Sequence, residues 1–106
     1  MADLTQDQWR EKLENDDNAV ILDVRTDIEV QEECIPGSIQ MNIQNTAVFY
    51  EDAKKLDPSK DYFIYCRSGA RSAQACMLFN SLGIKNAYNL IGGIMEWEGE
   101  KTTNNE

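Results

Sequence analysis

Short apolar runs that lead into polar loops are the feature that most restricts the fold of this chain. Residues 19–22 and 62–65 are continuous runs of apolar and aromatic residues without polar alternation, and turn-forming residues precede both. Runs of this length and kind are typical of strands that are buried on both faces, as in a parallel sheet. Two further short strands are predicted at residues 38–42 and 86–90.

Helical segments are predicted between these strands. Thr5 and Gln8 have the spacing of a capping box at the start of the first helix, and Gly83 stands where a helix C-cap is expected. The predicted helices run from Thr5 to about Asn15, at residues 27–33 and 46–55, from the end of the loop at residues 66–72 to Gly83, and from Gly93 to about Trp97. Strands that alternate with helices predict an α/β domain with a mainly parallel sheet.

The chain has 106 residues and is 42% hydrophobic, which suits one domain with a single core. We expect one domain over residues 1–100 and a flexible polar tail over residues 101–106. No apolar run approaches the roughly 20 residues of a membrane helix, and the acidic N-terminus does not resemble a signal peptide. A cytoplasmic location is therefore expected.

The formal net charge is −9, from 19 acidic and 10 basic residues. Nucleic-acid backbones and anionic membranes repel such a surface, so neither is expected as a partner. For most of the surface, the acidity needs no explanation beyond solubility. Local clusters of basic residues are therefore the informative exceptions.

The chain contains three cysteines, Cys34, Cys66 and Cys76, and no histidine. An odd number of cysteines without a C-x-x-C pair argues against a disulfide framework and against a zinc site. The lack of histidine excludes Ser-His-Asp and Cys-His catalysis and imidazole metal ligands. We expect no cofactor or metal, and any nucleophile must be activated without histidine.

Cys66 has the sequence context of an activated thiol. It directly follows a predicted buried strand and precedes a predicted helix, and ligands of open α/β sheets bind at the carboxyl ends of strands. A helix N-terminus lowers the pKa of a cysteine, and Gly69 allows the loop to turn several N–H groups towards an anion. Arg67 and Arg71 add two cations to the same loop of an otherwise acidic chain.

The loop Cys66-Arg67-Ser68-Gly69-Ala70-Arg71, followed by Ser72, resembles the six-residue active-site loop of single-domain rhodaneses. Three more motifs are similar to that family and follow its order. They are Ile21–Arg25 with Glu29, the turn Ile35–Ile39, and Leu90–Gly93 followed by Trp97. The resemblance extends from about Leu4 to Trp97. One departure is Glu33-Cys34, where the family usually has Gly-His, which predicts a different backbone at that bend.

The resemblance implies a rhodanese-like α/β fold with a five-stranded, mainly parallel sheet flanked by helices. It also implies a sulfurtransferase that moves a sulfane sulfur from thiosulfate or another persulfide, through a Cys66 persulfide, to a thiol or cyanide. The expected partners are a small anionic donor, such as thiosulfate or a low-molecular-weight persulfide, and a thiol acceptor, either a small thiol or a thioredoxin-like protein.

The resemblance also implies that Cys66 is the catalytic nucleophile and that it carries the sulfur. The backbone amides of the loop are expected to hold the persulfide anion, and Arg67 and Arg71 to attract the donor's oxyanion. The substrate-binding residues are thus predicted to be Arg67, Ser68, Gly69, Ala70 and Arg71.

Two other functions use a similar thiolate loop. The domain could be a persulfide carrier or sensing module that receives sulfur from one protein and presents it to another. It could also be a cysteine phosphatase or an arsenate reductase, but tyrosine-phosphatase-type loops place the essential arginine six positions after the cysteine. Here Ser72 is at that position and Arg71 is one residue earlier, a smaller ring that favours a single sulfur atom.

The remaining candidate residues have structural interpretations. Cys76 is expected in the core, and Cys34 is interpreted as a plain substitution at a surface bend rather than a thiol that resolves the Cys66 persulfide. Asp23, Arg25 and Glu29 are predicted to form a structural ion-pair set, in which Arg25 meets Glu29 across one helical turn. The expected aromatic core residues are Trp9, Tyr62, Phe63, Phe79 and Trp97.

Overall fold

Five strands alternate with five helices along residues 2–103, the part of the chain that this computed structural model describes. The strands are β1 (Ala2–Leu4), β2 (Ala19–Asp23), β3 (Ile39–Gln40), β4 (Asp61–Tyr65) and β5 (Ala87–Leu90). The helices are α1 (Gln6–Glu14), α2 (Asp27–Glu32), α3 (Thr46–Lys54), α4 (Ala70–Ser81) and α5 (Gly93–Glu96). None of these helices is long and apolar enough to cross a membrane.

All five strands form one parallel sheet in the order β1-β5-β4-β2-β3. In the register of the three central strands, Ile64 of β4 pairs with Leu22 of β2 on one side and with Asn89 of β5 on the other. The carboxyl ends of these strands therefore lie along one edge of the sheet. The predicted α/β class and the parallel five-stranded sheet are confirmed.

Strand β1 is the one strand that the hydrophobic pattern does not predict. It has only three residues, includes the exposed Asp3, and pairs with β5 from Ala2–Tyr88 to Leu4–Leu90. An edge strand of this length is too short to show a period. Only the family resemblance, which implies five strands, accounted for it.

The helices cover both faces of the sheet because successive residues of a strand point to opposite faces. Tyr62 and Ile64 pack in one hydrophobic cluster with residues of α3 and α4, and Phe63 and Tyr65 pack in the other with Trp9 of α1. Trp9 makes edge-to-face contacts with Phe63 and Tyr65. The predicted aromatic core is confirmed, since Trp9, Tyr62, Phe63, Phe79 and Trp97 are all buried.

Two capping boxes start the helices on either side of β2. The predicted one is present at α1, where the Gln8 N–H donates to the Thr5 hydroxyl and the Gln8 side chain accepts from the Thr5 N–H. A second, at α2, joins Thr26 and Glu29 in the same way. This cap holds the Glu29 side chain at the start of α2.

The end of the described chain folds back onto the bend at Cys34. The Cys34 N–H donates to the Thr102 carbonyl at 2.7 Å, and the Thr102 N–H donates to the Cys34 carbonyl at 2.8 Å. Cys34 is buried as a result, which corrects the expectation that it lies at a surface bend. The same pairing brings Thr102, which lies in the predicted tail of residues 101–106, into contact with the domain. The flexible tail stays a prediction, and residues 104–106 lie outside the described part.

Candidate active site

Cys66 lies at the centre of the carboxyl edge of the sheet. It follows β4, the middle strand, and the loop of residues 66–69 connects that strand to α4. Its neighbours β2 and β5 end at the same edge, where open α/β sheets bind ligands. The residue is only 1% exposed, so almost none of its surface is open to solvent.

The start of α5 orients the backbone of the Cys66 loop. The Ile94 N–H donates to the Cys66 carbonyl and the Met95 N–H to the Arg67 carbonyl, each at 3.0 Å. These bonds turn the first loop carbonyls towards α5. At Gly93, where φ is +61°, a Cβ would overlap the Arg67 carbonyl, so only glycine permits this approach. The glycines of the predicted C-terminal motif thus shape the active-site loop.

Hydrogen-bond donors converge on the Cys66 sulfur. The Gly69 N–H donates to Sγ at 3.0 Å, and the Ser72 hydroxyl lies 3.4 Å from it. Burial raises the pKa of the Cys66 thiol, but the Ser72 hydroxyl and the backbone N–H groups of Ser72, Gly69 and Ser68 outweigh burial, so the net pKa is lowered. The pKa is therefore lowered without histidine, by loop amides that the sequence predicted and by the Ser72 hydroxyl, which it did not predict.

The loop conformation that supplies these donors depends on Gly69. Its φ is +108°, a left-handed conformation that favours glycine, and it is the N-cap of α4. A Cβ there would also lie 3.4 Å from the Leu90 carbonyl. Of the other predicted loop residues, Ser68 is exposed and Ala70 is the first residue of α4.

A buried polar chain behind the sulfur was not predicted. The Ser72 hydroxyl is also within hydrogen-bonding distance of the Asn89 Oδ1 atom and of the Gly69 carbonyl. The Asn89 Nδ2 group donates to the Asp3 carboxylate at 3.0 Å and to the Gly69 carbonyl at 3.3 Å. The sequence does carry one signal for this polar chain, which is Asn89 inside a short apolar strand. A buried polar side chain needs hydrogen-bond partners, so its presence there indicates that such partners exist.

Arg71 is held by an acidic partner. Its guanidinium donates two hydrogen bonds to the Glu29 carboxylate, at 2.8 and 2.9 Å. This pairing lowers the pKa of Glu29 to about 2 and raises that of Arg71. The predicted contact between Arg25 and Glu29 is wrong, since Arg25 precedes α2 and pairs with Asp23 at 2.7 Å instead.

Arg67 has a different environment from Arg71. Its side chain is exposed and forms no ion pair with any residue of the described part of the chain. It lines a cleft of about 280 Å³ between α2 and α5, whose other charged lining residues are Arg25, Glu29, Glu32, Glu33 and Lys101. Arg67 is thus the loop cation that is available to an anion from solution.

The other two cysteines lack this environment. Cys76 is fully buried in α4, as predicted, and burial raises the pKa of its thiol to about 12. Cys34 is buried where the chain end covers it. Among the three thiols, Cys66 is therefore the candidate nucleophile.

Comparison with known proteins identifies the family. The family model described as a rhodanese-like domain matches residues 5–100. The "Putative sulfurtransferase YtwF" of Bacillus subtilis is 38% identical over 96 residues, which cover 91% of this chain and 89% of that protein. A sulfurtransferase of Allochromatium vinosum is 30% identical over 90% of this chain and 86% of its own length. The crystal structure of a rhodanese-like domain protein from Staphylococcus aureus matches with a TM-score of 0.79 at 29% identity, covering 94% of each chain. The chain therefore belongs to the family of rhodanese-like domains.

Proposed function

We propose that this protein is a sulfurtransferase that carries a sulfane sulfur on Cys66. The observation that carries the proposal is the set of hydrogen-bond donors around a buried thiol whose pKa they lower. A thiolate is the nucleophile required for attack on a sulfane sulfur. The names of the two sulfurtransferase relatives support the same reaction class.

The proposed reaction has two displacement steps. The Cys66 thiolate attacks the outer sulfur of thiosulfate, a new sulfur–sulfur bond forms, and the old one breaks so that sulfite leaves with the electron pair. A thiolate or cyanide acceptor then attacks the outer sulfur of the Cys66 persulfide and releases the Cys66 thiolate. Both steps keep negative charge near Sγ, where preorganised donors such as the Gly69 N–H stabilise it.

We assign different roles to the two loop arginines. Arg67 is exposed and unpaired among the described residues, so it is proposed to attract the oxyanion of thiosulfate or the charged groups of a low-molecular-weight persulfide. Arg71 already donates to Glu29 through two hydrogen bonds, so its proposed role is to hold the loop against α2. The sequence interpretation gave both arginines an anion-binding role and expected Arg71 to matter more than Arg67 for anionic donors. The two hydrogen bonds from Arg71 to Glu29 favour the opposite order.

The acceptor in this proposal is a thiol, either a small one or that of a thioredoxin-like protein. All three cysteines are free, and free thiols suit a reducing compartment. A cytoplasmic location, where such acceptor thiols are available, is therefore part of the proposal.

Phosphate chemistry is less well supported by the same geometry. A phosphatase of this kind needs an arginine directed at the substrate, but Arg71 is engaged by Glu29. The position six residues after Cys66 is Ser72, whose hydroxyl lies at the sulfur itself. The site thus offers a small ring of donors that fits one sulfur atom better than a phosphoryl group.

The test compares Cys66→Ser with Cys76→Ser in steady-state thiosulfate:cyanide transfer and in transfer to a dithiol. We expect Cys66→Ser to abolish both activities and Cys76→Ser, a matched change of another buried cysteine, to retain them. Substantial turnover by Cys66→Ser would contradict the mechanism. Stoichiometric loading with very slow turnover by the native protein would favour the carrier function, and efficient p-nitrophenyl phosphate hydrolysis through Cys66 would favour the phosphatase.

A further inference from the structure

The Ser72 hydroxyl has more acceptors around it than it has protons. It has a single proton, and three acceptor atoms lie within hydrogen-bonding distance of its oxygen: the Cys66 sulfur, the Gly69 carbonyl oxygen and Asn89 Oδ1. Ser72 is fully buried, so water cannot supply a second donor. The hydroxyl can therefore donate a full hydrogen bond to only one of these acceptors at a time.

The orientation of the Asn89 amide decides where that proton goes in the resting site. Its Nδ2 group donates to the Asp3 carboxylate and to the Gly69 carbonyl. A flipped amide would place Oδ1 against these two oxygens, three acceptors with no proton between them. The contacts thus fix Oδ1 towards Ser72, and Oδ1 is an acceptor that requires the Ser72 proton.

This arrangement satisfies every group in the thiol form of Cys66, whereas the anion, which already accepts from the Gly69 N–H, competes with Asn89 for the Ser72 proton. In the thiol form, the Cys66 S–H can donate to the Ser72 oxygen while the Ser72 hydroxyl donates to Asn89. A thiolate or persulfide anion needs the Ser72 proton for itself. If the hydroxyl turns to the sulfur, Asn89 Oδ1 loses its donor inside the protein, where an unpaired acceptor is costly.

We propose that Asn89 is a positioning residue that competes with the Cys66 sulfur for the single proton of Ser72. Asn89 thereby withholds part of the hydrogen bonding that would otherwise stabilise the sulfur anion. Asp3 contributes by fixing the amide in the competing orientation. The inference deepens the proposed function, since it concerns the same sulfur, but it rests only on Cys66 being the reactive thiol.

The charged groups around the loop do not account for the same effect. Arg71 of α4 and Glu29 of α2 remain charged throughout the range in which a thiol titrates, because their pairing raises the pKa of the first and lowers that of the second to about 2. Arg67 lies in the loop itself, and Asp3 of β1 faces the site through Asn89. All four groups are unchanged in the variants Asn89→Leu and Ser72→Ala.

The experiment measures the rate of Cys66 alkylation by iodoacetamide against pH, without any sulfur donor. Asn89→Leu keeps the side-chain size but accepts no hydrogen bond, so Ser72 is free to donate to the sulfur. We expect the midpoint of the pH profile to fall by about half a pH unit to one unit, and that of Ser72→Ala to rise by a similar amount. The double variant should match Ser72→Ala, because Asn89 acts through Ser72.

The midpoint of the alkylation profile is expected to shift in opposite directions in Asn89→Leu and Ser72→Ala. This difference distinguishes the proposed role of Asn89 from a purely structural one. Loss of a structural contact to the Gly69 carbonyl would loosen the loop and raise the midpoint in Asn89→Leu. A midpoint that rises or does not move, or the same shift with and without Ser72, would overturn the proposal. The readout requires no sulfur transfer, so it can succeed even if the proposed sulfurtransferase activity fails.

Asp3→Ala provides a second test that does not alter the core, because Asp3 is exposed. Removal of the carboxylate takes away one of the two acceptors that hold the Asn89 amide, so the flipped orientation with Nδ2 towards Ser72 becomes more populated although the Gly69 carbonyl still opposes it. We expect the midpoint to fall more in the native background than in the Ser72→Ala background, where only the lost charge acts. Equal shifts in the two backgrounds would contradict the proposed competition.

Discussion

Arg67 and Arg71 belong to the same loop, but their contacts give them different tasks. Arg71 is about three-quarters buried against Glu29, with both guanidinium branches engaged. Arg67 is exposed beside the cleft and has no ion-pair partner in residues 2–103. An arginine can bind an oxyanion from solution only with donors that are not already committed.

We therefore predict that Arg67→Ala weakens the use of thiosulfate. Loss of a charge-assisted contact of about 1.5–3 kcal/mol corresponds to a roughly 10- to 100-fold lower kcat/KM, mainly through a higher KM. The measurement is steady-state transfer with thiosulfate as the varied substrate. Lys85→Ala, which removes an equal charge from an exposed position before β5, is the control. The same KM in both variants would remove Arg67 from the donor site.

For single residues of the site, the sequence predicts the features that depend on neighbours in the chain. It misses the contacts between residues of distant elements. Cys66 and Gly69 could be found because a strand end, a thiol and a loop glycine are neighbours in the chain. The polar chain behind the sulfur joins Asp3, Ser72 and Asn89, which lie on three different elements. No spacing in the sequence brings them together.

The contact between α5 and the Cys66 loop explains why a four-residue helix matters for the chemistry. Its first N–H groups bind the Cys66 and Arg67 carbonyls, and Gly93 leaves space for that approach. The loop amides can face the sulfur only while the carbonyls are held on the other side. The element thus contributes to the candidate active site through its backbone.

Gly93→Ala should therefore disturb both stability and reactivity, since its Cβ would overlap the Arg67 carbonyl. Gly83→Ala is the matched control: its φ is +93°, but nothing lies within 4 Å of the added carbon. We expect both variants to lose about 1 kcal/mol or more from backbone strain in urea unfolding. Only Gly93→Ala should also raise the midpoint of the Cys66 alkylation profile. A normal profile for Gly93→Ala would show that α5 does not shape the loop.

The ion pair between α2 and α4 predicts how stability changes with pH. Arg71 lowers the pKa of Glu29 from its ordinary 4.5 to about 2. Because the folded-state pKa is the lower one, the pair stabilises the fold above pH 4.5, and this contribution is lost as the pH falls from about 4.5 to about 2.

For this partly exposed pair, we expect Glu29→Gln to cost about 1 kcal/mol at pH 7. The measurement is the urea unfolding free energy of both proteins between pH 7 and pH 2.5. The difference between them should shrink steadily below pH 4.5, as the native carboxylate becomes protonated. A difference that is independent of pH would show that the cost does not arise from the charge of Glu29.

The elements that the sequence misplaced share one physical cause, which is pairing at the periphery of the fold. The three-residue strand β1 is ordered by its register with β5. The bend at Cys34 is buried because Thr102 returns to pair with it. Central strands such as β2 and β4 show in the sequence as buried apolar runs, whereas peripheral segments gain their structure from partners far along the chain.

In the whole molecule, two hydrophobic layers hold the Cys66 thiol at the centre of one sheet edge. Cys66 follows the middle strand, so helices on both faces and strands on both sides fix its position. Cys76 lies inside one of these layers, and Cys34 is covered by the chain end. All three thiols are buried, and Cys66 is the one that hydrogen-bond donors of the loop surround.

The most direct test is the intact mass of the native protein after incubation with thiosulfate or with a low-molecular-weight persulfide, followed by peptide mapping. We predict a gain of one sulfur atom, located on the peptide that contains Cys66, and its return to the starting mass when cyanide or a thiol is added. Cys66→Ser should show no gain. Sulfur found on Cys34 or Cys76, or equal loading of native protein and Cys66→Ser, would contradict a persulfide carried by Cys66.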